Sequence, residues 1–158
     1  MSDVRSATPE EIQKVLATVP QQKPFRFLDE ILELNTERAV GKYTFREDEF
    51  FYPGHFPGNP VTPGVILVET IAQIGIVSLG IFLSMVESGG KDEKYLTLFT
   101  DAQADFMEIV KPGDTVIVTA KKKYWRRRKL QIEAEMIIEQ SGKVAVRGVL
   151  SGMAIPEN

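Results

Sequence analysis

The chain has 158 residues, enough for one domain with its own core, and 43% hydrophobic with 26% charged residues excludes a disordered polymer. With no cysteine and one histidine, it has no disulfide, thiolate nucleophile or thiolate metal site, and a zinc site lacks its usual ligands. The formal charge of -3 is uneven, because Lys121 to Lys129 holds seven of the 19 basic residues and none of the 22 acidic ones, leaving the rest at -10.

The N-terminus is polar and acidic, with no basic segment leading into an apolar one, so a cytoplasmic protein without a secretory signal is expected. Thr8-Pro9-Glu10-Glu11 reads as a capping box with proline at the first helical position. Ile12, Val15, Leu16 and Val19 continue it at helical spacing until Pro20, which makes residues 1–20 a helical segment. Phe25 to Leu34 and Ala39 to Arg46 are expected as strands; in the second, Val40, Lys42, Thr44 and Arg46 alternate with Ala39, Gly41, Tyr43 and Phe45.

The only histidine follows, held in Pro53-Gly54-His55-Phe56-Pro57-Gly58-Asn59-Pro60. An imidazole titrates near neutrality, so His55 in a stiff loop is a candidate proton carrier. A loop histidine that satisfies neighbouring backbone groups is the structural alternative.

Val65 to Val86 is apolar around nearly the whole helical circumference, the pattern of an enclosed helix. Its length also suits a membrane span, but Glu69, Thr70, Gln73, Ser78 and Ser84 lie inside it and no basic anchors flank it, so an integral membrane protein is not expected. Ser88-Gly89-Gly90 ends the helix. After the Leu96 to Val110 segment, turn signals at Lys111-Pro112-Gly113-Asp114 and Gln140-Ser141-Gly142 frame long strands. Leu130, Ile132, Ala134, Met136 and Ile138 alternate with a mostly charged set, so the sheet has one dry face. A one-faced sheet and a helix that is dry all round bury each other if the sheet curls about the helix, an α+β, hotdog-like arrangement over residues 1–158. One such sheet would not cover the whole helix, and a second copy of the chain is the expected cover.

Thr62 is a suitable N-cap and Pro63 a suitable first helical residue, which would leave the Gly64 N–H without an intrahelical partner. That N–H, at the positive end of a helix and with no Cβ beside it, can polarise a carbonyl; ordinary helix-start chemistry explains the same residues. Glu69 lies among Ile66, Leu67, Val68, Ile71 and Ala72, surroundings that would raise a carboxyl pKa and suit it to donate a proton, whereas at an exposed surface it would only answer the helix dipole. Gln73, four residues on, faces the same way and can orient the carboxyl group.

The stretch from Pro53 to Pro60 and the run Pro63-Gly64-Val65-Ile66-Leu67-Val68-Glu69-Thr70-Ile71-Ala72-Gln73 resemble the 3-hydroxyacyl-acyl-carrier-protein dehydratases of the FabZ type. The resemblance extends more loosely from Pro24-Phe25-Arg26-Phe27-Leu28-Asp29 through Asp101 and Phe106 to Lys111-Pro112-Gly113-Asp114, and leaves out the first helix. It implies a hotdog fold, a homodimer or a trimer of dimers, and dehydration of a 3-hydroxyacyl thioester carried on the phosphopantetheine of acyl carrier protein, with no metal and no other cofactor. It makes His55 the catalytic histidine, Glu69 of the partner subunit the acid, and Gly64 the N–H donor to the thioester carbonyl. Glutamate at 69, where related dehydratase-isomerases have aspartate, resembles the enzymes that leave a trans-2-enoyl product.

An acyl chain is expected along the buried helix, with Phe56, Phe51, Phe99 and Gln73 as substrate-binding candidates. Met107-Glu108 departs from the family, which often has a basic residue after the phenylalanine matched by Phe106, and Tyr95 is not assigned as the family's tunnel-gating tyrosine. Carrier contact is therefore expected from the basic run, through Arg126, Arg127, Arg128 and Lys129. A solvated hairpin tip is the alternative for that run. A hotdog thioesterase and a non-catalytic module binding carrier protein or nucleic acid are the competing functions; nucleic acid is not an expected partner.

Overall fold

The computed structural model describes residues 3–90 and 95–156. Its first helix, α1 (Pro9–Thr18), begins on the expected capping box: Glu11 N donates to Thr8 Oγ1 at 3.1 Å and Thr8 N to Glu11 Oε1 at 2.9 Å. Val15 and Val19 are buried and carry the amphipathic face into the core.

Six strands, β1 (Glu30–Leu34), β2 (Arg38–Thr44), β3 (Tyr95–Phe106), β4 (Thr115–Arg126), β5 (Lys129–Ile138) and β6 (Val144–Pro156), form one antiparallel sheet in the order β1-β2-β4-β5-β6-β3. The alternation read in β5 holds: Leu130, Ile132, Ala134, Met136 and Ile138 are buried on the helix side. On the other face ion pairs such as Arg147 with Glu135 at 2.9 Å lie in solvent, where each is worth at most about 1 kcal/mol. Burial therefore decides the fold, since each enclosed large apolar side chain contributes about 1.5–3 kcal/mol.

The expected first strand is shorter than its sequence suggests, starting at Glu30 instead of Phe25. Phe27 N donates to the Gln73 side-chain oxygen at 2.7 Å, and Phe25 O accepts from Gln73 Nε2 at 2.9 Å. This stretch is bonded to a helix side chain where a neighbouring strand would otherwise be needed.

The central helix runs continuously as α2 (Gly64–Ile71), a π-helical segment (Ala72–Val77) and α3 (Ser78–Ser88). It has a mean hydropathy of 2.1 over its best window and is long enough to cross a membrane, yet 78% of that window is buried inside the protein. The wide turn is stabilised by Ser78, whose backbone N–H reaches Gln73 O five residues back and whose hydroxyl donates to the same oxygen at 2.9 Å. Gly75 lets this segment lie on the sheet, because a Cβ there would stand 2.5 Å from Ile132 Cδ1 and 2.8 Å from Ala120 Cβ. Ile74, Leu79 and Phe82 are fully buried against Val118, Ile132, Met136 and Leu150.

Candidate active site

The chain between β2 and α2 is tied to the core at both ends. Tyr43 donates its hydroxyl to the buried Glu49 carboxylate, which also accepts from Arg46 N at 3.1 Å. Burial and that carboxylate push the Tyr43 hydroxyl pKa up. At the far end, the Tyr52 and Thr62 hydroxyls meet at 2.6 Å, and burial pushes the Tyr52 pKa up to about 12. Thr62 N donates to Val110 O at 2.9 Å. Tyr52→Phe is expected to lower unfolding free energy by about 1 kcal/mol, read as a lower urea midpoint at unchanged m-value; an unchanged midpoint would rule out the bridge as a fastening of the loop.

His55 lies within this closed loop. Its Nδ1 is 2.8 Å from Val61 O, and because a carbonyl only accepts, Nδ1 carries the proton. With Nδ1 so engaged, Nε2 is the ring nitrogen left to exchange a proton, the arrangement a general base requires. The structural and catalytic readings of His55 thus use different ring nitrogens. The Phe56 ring centroid is 4.4 Å from that of His55, and Phe56 has a left-handed backbone with φ 63° and is 58% exposed.

Thr62 does not cap the helix as its position suggests, because its hydroxyl is engaged by Tyr52. Pro63 is the N-cap, its carbonyl accepting from Ile66 N at 2.9 Å and Leu67 N at 3.1 Å, and Gly64 is the first helical residue. Among the described residues the Gly64 N–H meets no acceptor, so the expected free donor is present by a different capping. A Cβ at Gly64 would lie 3.1 Å from Phe106 Cε1, so the ring packs closely beside this donor and would have to shift for any larger residue.

Glu69 is part-buried, and desolvation raises its carboxyl pKa above the ordinary 4.5, opposed by a hydrogen bond from Gln73 Nε2 at 2.8 Å. Gln73 was expected to contact substrate, but it is fully buried, and its amide is committed to Phe25 O, Phe27 N and Glu69. It orients the acid from behind. Glu69 opens into a groove shared with Gln21, Leu98 and Phe99, which His55 does not line. Phe99 is accordingly beside the acid, 46% exposed. Phe51 instead packs in an aromatic cluster on the core, with centroids 6.0 Å from Phe27, 5.2 Å from Phe50 and 4.7 Å from Tyr52.

The basic run forms the β4–β5 hairpin, whose two-residue turn holds Arg127 at φ 49° and Arg128 at φ 62°. Trp125 Nε1 donates to Glu87 Oε1 at 2.6 Å, the Arg128 guanidinium lies 4.0 Å over the Tyr95 ring, and Lys129 is 3.9 Å from Asp101. The tip therefore sits at the C-terminal end of the central helix. Gly64 is at the other end, 24 residues away and about 36 Å along the axis.

Residues 19–148 match the FabA-like domain family. A 3-hydroxyacyl-[acyl-carrier-protein] dehydratase FabZ from Chloroflexus aggregans is 40% identical over 118 residues, covering 73% of this chain and 77% of the relative. The chain belongs to the FabZ-type dehydratase family. A second FabZ relative, from Chlamydia trachomatis serovar L2, is 37% identical over 148 residues, 92% of this chain and 86% of its own. Among solved structures, the dehydratase heterocomplex ApeI:P from Xenorhabdus doucetiae matches with a TM-score of 0.72, 16% identity and 91% coverage of each chain, a likeness of fold. The hotdog arrangement expected from the alternating strands and the enclosed helix is thereby borne out.

Three features of this FabZ-type site lie outside the expectations from sequence: the Phe106 ring on Gly64, the Tyr52–Thr62 bridge, and Gln21 beside Glu69. Each joins positions brought together only by folding. Phe106 carried a family match in the sequence, but nothing there tied it to Gly64.

Proposed function

We propose that this chain dehydrates 3-hydroxyacyl thioesters, carried on the phosphopantetheine arm of acyl carrier protein, to trans-2-enoyl thioesters in cytoplasmic fatty acid synthesis. Family membership supports the reaction, and the His55 Nδ1 bond to Val61 O is the observation that carries the residue roles. The Gly64 N–H polarises the thioester carbonyl, which makes the C2 proton more acidic. His55 Nε2 takes that proton, and its electron pair forms the C2–C3 double bond as the C3–O bond breaks. Glu69 in its protonated form gives its proton to the departing hydroxyl, which leaves as water. The balance closes when His55 returns its proton to solvent and Glu69 regains one.

A homodimer would supply His55 and Glu69 of the partner subunit to one site. Support comes from β3, which ends the strand order of the sheet among the described residues and exposes Leu98 and Phe99. Its ladder runs from Tyr95, beside the basic hairpin, to Phe106, on Gly64. Antiparallel pairing of two such strands about a twofold axis would bring the hairpin of the second copy to the Gly64 end of the first. Arg126, Arg127, Arg128 and Lys129 would then stand at the entrance used by an acidic carrier or its phosphate, and would speed encounter. Assembly of three such dimers is compatible with this use of β3.

A thioesterase is the competing hotdog chemistry, and one assay separates the two. With a 3-hydroxyacyl pantetheine thioester the expected result is growth of enoyl absorbance with the thioester intact; release of free thiol without enoyl absorbance would discard the dehydratase reading.

A further inference from the structure

The only buried acid among the described residues takes no part in the chemistry above. Glu49 is 3% exposed, and Tyr52, three residues on, is 4% exposed. Taking a carboxylate out of water opposes folding unless its oxygens are bonded. Here Glu49 Oε2 accepts from the Tyr43 hydroxyl and from Arg46 N at 3.1 Å, while Arg46 Nη2 stands 3.6 Å from Oε1. Tyr43 is itself fixed in the core, its ring T-shaped against Phe27 at 5.6 Å and against Phe45 at 5.0 Å between centroids.

From this anchor the loop advances in three linked turns. Glu49 N donates to Arg46 O at 3.3 Å, Tyr52 N to Glu49 O at 3.3 Å, and His55 N to Tyr52 O at 3.3 Å and Phe51 O at 3.1 Å. Glu49 and Tyr52 are the joints between the turns, and both side chains are buried. The Tyr52 hydroxyl also meets Thr62, which fixes the residue next to Val61, whose carbonyl orients the His55 ring. The backbone N and the ring Nδ1 of His55 therefore both lead back to Tyr52, and Tyr52 stands on Glu49.

We propose that Glu49 is a positioning residue for the base: its buried carboxylate holds the linked turns that aim His55 at the substrate. This rests on the reading above that His55 takes the C2 proton. Glu49 acts through His55 and is itself closed off from substrate, so its removal slows proton transfer without weakening binding.

Glu49→Ala is expected to lower kcat by about tenfold to 10²-fold with KM held within about twofold, the scale of rate loss from a small misplacement of a reacting group. Glu49→Gln, whose amide oxygen can still accept from Tyr43 and from Arg46 N, is expected to recover most of that loss. In a His55→Ala background Glu49→Ala should cost less than about twofold more, since no base is left to misplace. An unchanged kcat, a loss carried by KM in folded protein, or a loss as large without His55 as with it overturns the inference and leaves Glu49 a fastening of the loop. The chain has one histidine, so imidazole nitrogen signals in a magnetic resonance spectrum report His55 alone. With the ring neutral, its proton should sit on Nδ1 in the wild type and be shared with Nε2 in Glu49→Ala; an unchanged ring in that variant also overturns the inference. If Glu49→Ala does not fold, Tyr43→Phe removes the same bond from its donor side and is read by the same outcomes. Full turnover in His55→Ala would instead remove the reading of His55 as base, and the ring signals would then decide by themselves whether Glu49 sets the position of His55.

Discussion

His55→Ala is expected to reduce kcat/KM for a 3-hydroxyacyl thioester by about 10²- to 10⁴-fold, the range that a positioned general base contributes. The fall should lie mainly in kcat, because the proton at C2 moves only in the transition state. His55→Asn separates chemistry from positioning: its side-chain amide can donate to Val61 O as Nδ1 does, yet offers no basic nitrogen. Asparagine should therefore be as inactive as alanine while keeping more of the wild-type stability. If His55→Asn retained near-normal turnover, the loop bond would be the whole role of His55 and the base would have to be sought elsewhere.

Glu69→Gln is expected to cost a similar factor in kcat, since the amide can still accept from Gln73 but cannot give a proton to the leaving hydroxyl. Stability should move differently. Burial holds the folded-state pKa of Glu69 above its unfolded value, so between the two the folded chain binds more protons than the unfolded one. This part of the stability is fully present below the unfolded pKa, and it is lost as pH rises through the raised folded value. Urea unfolding from below the ordinary 4.5 up to neutrality should show that loss in the wild type and its absence in Glu69→Gln. Parallel profiles for the two proteins would contradict a desolvated carboxyl.

The same two variants test the shared site. If His55 and Glu69 act across a dimer, a re-paired mixture of His55→Ala and Glu69→Gln contains heterodimers with one intact site each, and about a quarter of wild-type activity returns for random pairing. No recovery from heterodimers demonstrated by mass would place both groups in one protomer.

Legibility in the sequence followed the range of the interaction. The capping box of α1 was readable because Thr8 and Glu11 are three residues apart and their exchange is complete within one turn. The dry face of β5 was readable because alternation is fixed by the pleat. The start of β1 was misplaced because Gln73, 46 residues after Phe27, takes over backbone groups that a strand would have used. Thr62 was misread as a cap because the competing Tyr52 hydroxyl reaches it only through the closed loop.

For the site, the residue types that carry the proposed chemistry were set by the sequence: one imidazole in a stiff loop, one carboxyl in an apolar helix, one glycine at a helix start. Local covalent geometry and helical spacing are enough to determine that much. The setting of each group was decided by tertiary structure, because it depends on how the loop closes and on burial: the Val61 carbonyl faces His55 Nδ1 across the loop and orients the ring, and packing desolvates Glu69 and raises its carboxyl pKa. The room at each glycine was decided in the same way, by Phe106 at Gly64 and by β4 and β5 at Gly75. A side chain's identity is local, but the field and the volume around it are sums over the folded molecule.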